Sequence, residues 1–87
     1  MGPTKLNITH HAIYRFCERI MELKPPFNTW EVYLAKLLIQ DEISNMSFPI
    51  GFDSYEIRMN TFKAKMVIEN GFIVTFKNTN KTKKRTK

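Results

Sequence analysis

His11, Arg15 and Arg19 stand at i, i+4 and i+8, the interval that stacks side chains along one stripe of a helix. An imidazole and two guanidiniums in a row suit a phosphodiester. Arginine binds phosphate oxygens through its planar fork, and histidine moves protons near neutral pH. His11 falls in the first turn of the expected helix, where the positive end of the macrodipole disfavours imidazolium. A neutral ring able to act as a base is therefore predicted. The plain alternative is a solvated face on which Arg15 and Arg19 pair with Glu18 or Glu22.

A second group of cations lies near the C-terminus. Asn70-Gly71 between two apolar runs is a strong hairpin signal, because both turn residues must accept positive φ. An ideal hairpin pairs Ile68 with Ile73, Val67 with Val74, Met66 with Thr75 and Lys65 with Phe76. One face then carries Lys63, Lys65, Val67, Val74 and Phe76. Basic and aromatic residues interleaved on a sheet suit single-stranded RNA, whose bases stack and whose phosphates need cations. The other face carries Phe62, Ala64, Met66, Ile68, Ile73, Thr75 and Lys77, and is expected to pack on helices. Thr75 is thereby placed toward the core or its rim. The competing reading of the lysines is a solvent face that protects the sheet from aggregation.

Other chemistries lack their parts. Gly2, Gly51 and Gly71 are the only glycines, so there is no glycine-rich phosphate loop. Asp41 and Glu42 are adjacent, and Asp53 and Glu56 straddle a turn, so no acid pair stands at metal spacing. His10 lies about 100° around the helix from His11 and reads as a core-edge histidine. His10, His11 and Cys17 make a poor zinc set. Cys17 falls on the apolar arc and reads as a small buried hydrophobe. No metal or other cofactor is called for.

The elements that must position these groups follow from periodicity. Thr9 is a good N-cap. After it Ile13, Phe16, Cys17, Ile20, Met21 and Leu23 share one arc and His11, Arg15, Glu18, Arg19 and Glu22 the opposite one, which predicts a helix over 10–23. Pro25-Pro26 ends it. Asn28, with Glu31 three residues on, predicts a capping box and a second helix over 29–44. That helix is apolar on two sides, Trp30, Tyr33, Leu34, Leu37 and Leu38 on one and Val32, Ile39 and Ile43 on the other, so it is covered twice or carries a partner surface. Ser47–Phe52 is a weak strand candidate broken by Pro49 and Gly51. Tyr55, Ile57 and Met59 alternate with Glu56 and Arg58 at strand period, and Phe62–Glu69 and Phe72–Lys77 form the hairpin. The expected class is α+β, two N-terminal helices packed on a three- to four-stranded antiparallel sheet, with residues 1–77 one domain and 78–87 a disordered basic tail.

At 87 residues, 43% of them apolar and 13% aromatic, the chain is a single small globular domain at most. Of the 14 Lys and Arg residues, six (Lys77, Lys81, Lys83, Lys84, Arg85 and Lys87) fall in residues 77–87, and none of the eight acids does. The body is formally neutral, and the net charge of +6 belongs to the tail. Such a tail favours a polyanion, or else serves solubility. No apolar run is long enough to span a membrane, no leader is evident, and the lone Cys17 excludes a disulfide framework, so a cytoplasmic setting is expected.

Two segments resemble a known family. Ile8-Thr9-His10-His11-Ala12-Ile13-Tyr14-Arg15-Phe16-Cys17-Glu18-Arg19-Ile20 is similar to the opening helix of small bacterial and prophage proteins with a His-Ala-x-x-Arg-x-x-x-Arg pattern, which are grouped with the barnase–EndoU–colicin–RelE ribonuclease toxins. Met66–Phe76 resembles that group's C-terminal hairpin. The resemblance implies a RelE-like, metal-independent RNA-cleaving fold, with His11, Arg15, Arg19 and Thr75 in the catalytic positions. Lys63, Lys65, Lys77 and the tail cations would hold RNA. The alternative function is a non-catalytic, phage-type protein that binds a host protein, an antitoxin-like partner or nucleic acid. A homo-oligomer would also cover the second apolar side of helix 29–44.

Overall fold

A computed structural model describes residues 6–79. Its elements are β1 (Asn7–Ile8), α1 (His10–Arg15), a π-helical turn (Phe16–Ile20), α2 (Thr29–Ser44), β2 (Ser54–Arg58), β3 (Ala64–Glu69) and β4 (Phe72–Asn78). The helices cover one face of a four-stranded sheet of order β1-β4-β3-β2. The α+β class is as expected. The sheet, however, is mixed: the two residues of β1 run parallel to β4, while β2, β3 and β4 are antiparallel. So short a strand as Asn7–Ile8 carries no side-chain period for the sequence to show.

Local chemistry explains most boundaries. The Thr9 hydroxyl accepts from the Ala12 amide at 3.1 Å and donates to the Ile73 carbonyl at 2.8 Å. One residue thus caps α1 and ties it to β4. Asn28 and Glu31 form the reciprocal capping box at 2.8 and 2.9 Å, and α2 begins and ends where expected. The first helix stops earlier than its apolar arc suggests. Its last turn widens to π geometry, Glu22 takes φ of 58°, and the Leu23 amide reaches back to the Cys17 carbonyl at 2.9 Å. Ser47–Phe52 forms no strand, since Pro49 and Gly51 bend the chain. Phe62 and Lys63 precede β3 without joining it. Glu42, buried near the end of α2, accepts from the Asn60 amide and from the Thr61 amide at 3.0 Å, which fixes the turn into β3.

The core consists of Ala12, Ile13, Phe16 and Cys17 from the first helix, Ala35 and Ile39 from α2, Met59 just after β2, and Ala64, Met66, Ile68, Ile73 and Phe76 from the sheet. The Phe16 ring packs edge-on against both Phe76, 5.2 Å between centroids, and Phe62, 5.4 Å. On α2 the Ile39 side faces inward. Trp30 and Tyr33 stay more than half exposed, at 63% and 51%.

The hairpin departs from its ideal register. Asn70 and Gly71 make the turn with φ of 52° and 84°, and Ile68 pairs with Ile73 as expected. Then a bulge intervenes: Val67 pairs with Thr75, Met66 with Phe76 and Lys65 with Lys77, leaving Val74 without an opposite residue. Phe76 is therefore fully buried instead of facing outward with the lysines, and Thr75 and Lys77 leave the core side. Burying a phenylalanine is worth about 1.5–3 kcal/mol, more than the roughly 1 kcal/mol net of one ladder hydrogen bond lost to the bulge. Keeping the Lys77 ammonium out of the core acts in the same direction.

Candidate functional site

The helix stripe is brought together in part. His11 is exposed on α1, and the Arg15 Nε donates to its Nε2 over a long 3.4 Å. Arg15 NH1 pairs with the Glu18 carboxylate at 2.6 Å, and its guanidinium carbon lies 5.9 Å from the Tyr14 ring centroid. Arg19 does not extend this line. The π turn re-aims it, and its NH1 donates to the Phe76 carbonyl at 2.8 Å. The stripe of three stacked groups becomes a His11–Arg15–Glu18 cluster plus an arginine stapled to the sheet.

Beyond Ile73 the β4 edge is not covered by β1. Thr9 binds the Ile73 carbonyl and Arg19 the Phe76 carbonyl, so the polar flank of the helix is fastened to β4 on either side of Thr75. Thr75 itself is half-buried and, because of the bulge, lies beside Val67 on the outer face of the sheet, so it does not join His11, Arg15 and Arg19 as expected.

The remaining histidine and cysteine are not joined to this cluster. His10 is exposed at the rim of an apolar groove of about 250 Å³ that Tyr14, Phe27 and Val32 also line. Cys17 is buried, and that burial pushes its thiol above its usual range, with the Glu31 carboxylate adding to the effect. No three His, Cys, Asp or Glu side chains among the described residues could hold a metal ion together.

On the opposite face of the sheet, which no helix among the described residues covers, register aligns three cations. Arg58 of β2 pairs with Lys65 of β3, which pairs with Lys77 of β4. Glu56, one step along β2 on the same face, lies 2.7 Å from the Lys77 Nζ and 3.9 Å from the Lys65 Nζ. The Lys77 hydrogen bond and charge hold the Glu56 carboxyl below its usual range, with Lys65 adding to them. These four residues with Asn78 and Thr79 line an open groove of about 300 Å³. Lys63 is exposed just before β3, and its carbonyl accepts from the Thr79 amide at 3.1 Å. Lys81, Lys83, Lys84, Arg85 and Lys87 lie outside the described residues.

Sequence reasoning missed Arg58. The alternation of Tyr55 and Ile57 with Glu56 and Arg58 put it on the solvent face, but only the β2–β3 register shows that it meets Lys65. The bulge hid the match of Lys65 with Lys77 in the same way.

Among the described residues no helix is long and apolar enough to cross a membrane. Comparison with protein-family models, curated proteins and solved structures found no match for the chain.

Proposed function

We propose that this protein is a metal-independent endoribonuclease with a RelE- or barnase-like fold. The reading rests on one observation, the pairing of the His11 imidazole with the Arg15 guanidinium on a helix flank fastened to the β4 edge at the Ile73 and Phe76 carbonyls. In this reaction His11 takes the proton of a ribose 2′-hydroxyl, and the 2′-oxygen attacks the adjacent phosphorus. The bond to the 5′-oxygen breaks, and that oxygen takes a proton from water. The products are a 2′,3′-cyclic phosphate and a 5′-hydroxyl, and His11 returns its proton to solvent. Arg15 and the free N–H groups of Arg19 stabilise charge on the pentacoordinate phosphorus. Lys63, Lys65, Lys77 and the cations of residues 81–87 hold the RNA backbone.

The test is incubation of the full chain with RNA in excess chelator. Cyclic-phosphate ends are expected, and His11→Ala should slow their appearance by about 10²–10⁴-fold. RNA left intact at high protein concentration, or cut equally well by the His11→Ala protein, overturns the reading.

A binding role without chemistry is favoured by a different observation: Trp30, Tyr33 and Leu37 form an exposed apolar stripe along α2, with the Trp30 and Tyr33 rings 5.9 Å apart. Such stripes mark protein contacts. Light scattering over a range of concentrations separates its two forms. A doubling of mass is expected if a second copy covers the stripe, and a constant monomer excludes that form and leaves a host or antitoxin-like protein.

A further inference from the structure

We infer that the outer face of the sheet is a second, separable site for single-stranded nucleic acid, in which Arg58, Lys65 and Lys77 bind backbone phosphates and Glu56 competes with those phosphates for the same cations. The inference deepens the nucleic-acid reading above but does not require that the protein cleave RNA.

Three like charges in one cross-strand row oppose folding, since like charges directly opposite each other are unfavourable. A plain solvent face would alternate the signs. Here one carboxylate serves two ammonium groups, and Arg58 has no ion pair among the described residues. The four side chains leave a local excess of two positive charges in an open groove whose other lining residues, Asn78 and Thr79, are polar. Adjacent strands lie about 4.8 Å apart, so the row is a short cationic track running across the strands. Arg58 supplies a planar fork for two phosphate oxygens, and the lysines supply mobile point charges. Val67 and Thr75, half-buried on the same face one step along, give the track a floor without further charge. The five cations of residues 81–87 follow Thr79 closely in sequence. A polyanionic backbone meets all of these features.

Glu56 makes the inference sharp. It gathers the Lys65 and Lys77 ammonium groups around one point, which a phosphate oxygen would take over. Removing its charge frees both lysines and raises the local excess from two to three.

The probe is a fluorescein-labelled single-stranded 12-mer of 2′-O-methyl RNA, which lacks the attacking hydroxyl and so reports binding alone. Its anisotropy is titrated with the full chain across a series of salt concentrations. Arg58→Gln, Lys65→Gln and Lys77→Gln should each weaken binding about threefold and flatten the salt dependence by about 0.7 in log–log slope. Glu56→Gln should tighten binding by a similar factor and steepen the slope. Lys36→Gln, on α2, should change neither. Thermal melting of each variant checks that it is folded. Unchanged affinity in all three cation variants, or weaker binding by Glu56→Gln, overturns the inference. So does displacement of the probe by polyglutamate as readily as by unlabelled oligonucleotide. RNA left uncleaved by the unsubstituted chain, with these binding shifts observed, would sink the nuclease reading and leave this site standing.

Discussion

The two cationic regions of this small fold are built in opposite ways. On the helix flank each guanidinium has a fixed partner: Arg15 meets Glu18 at 2.6 Å and Arg19 meets the Phe76 carbonyl at 2.8 Å. On the outer sheet face two lysines share one carboxylate beside Arg58, which has no ion pair among the described residues, and the lysines and Glu56 stay about half exposed. Fixed partners give defined positions, which chemistry at a phosphodiester requires. Shared partners give surplus charge with little geometry, which suits holding a flexible polyanion. The same residue types are therefore held in place or left mobile according to whether each has a partner of its own.

Both regions depend on the β4 bulge, and the largest expected effect comes from attacking what enforces it. Phe76→Ala removes a fully buried ring packed on Phe16 and should cost about 3–5 kcal/mol in chemical denaturation. A loss under 1 kcal/mol would mean that Phe76 does not set the register, and the contrast between the two faces would fail with it.

A smaller effect separates the regions directly. Arg19→Ala breaks a half-buried, charge-assisted bond to β4 and should lower stability by about 1.5–3 kcal/mol. Arg58→Gln should stay within about 0.5 kcal/mol, as for surface positions generally. Equal losses from the two substitutions would erase the distinction between fixed and shared partners.

How much of this was legible in the sequence follows the range of the forces involved. The capping box of Asn28 and Glu31 and the Asn70-Gly71 turn are decided within four residues, and both appear as read. The bulge is decided by a competition between Phe76 burial and ladder continuity, so counting along an ideal hairpin put Thr75 on the wrong side. The π turn preserves the apolar and polar arcs while re-aiming Arg19, so periodicity alone cannot find it. β1 is held by backbone bonds to β4, with Asn7 N–H donating to the Gly71 carbonyl at 3.0 Å, and leaves no side-chain pattern. In the candidate site, His11 and Arg15 were legible because both lie within one regular turn of α1. Arg58 was not, because its neighbours come from another strand.

The smallest effect concerns acid. Glu56 has its carboxyl held low in the folded protein by Lys77 and then Lys65. A depressed folded value means that its stabilising contribution is present above the ordinary carboxylate range and fades as pH falls through the folded value. The thermal midpoint of the unsubstituted protein should therefore drop slightly more than that of Glu56→Gln as pH is lowered below that range. The difference should shrink at high salt, since the pair is exposed. Parallel curves for the two proteins would show that the carboxylate is not engaged by the lysines in solution.

The most direct test of the division of labour measures cleavage and binding on the same two variants. With RNA in excess chelator, His11→Ala should lose turnover while keeping its affinity for the uncleavable 12-mer. Lys65→Gln combined with Lys77→Gln should lose affinity and raise KM while keeping kcat. If both proteins lose binding and turnover in the same proportion, or if neither loses either, the two cationic regions do not have separate tasks and the account is contradicted.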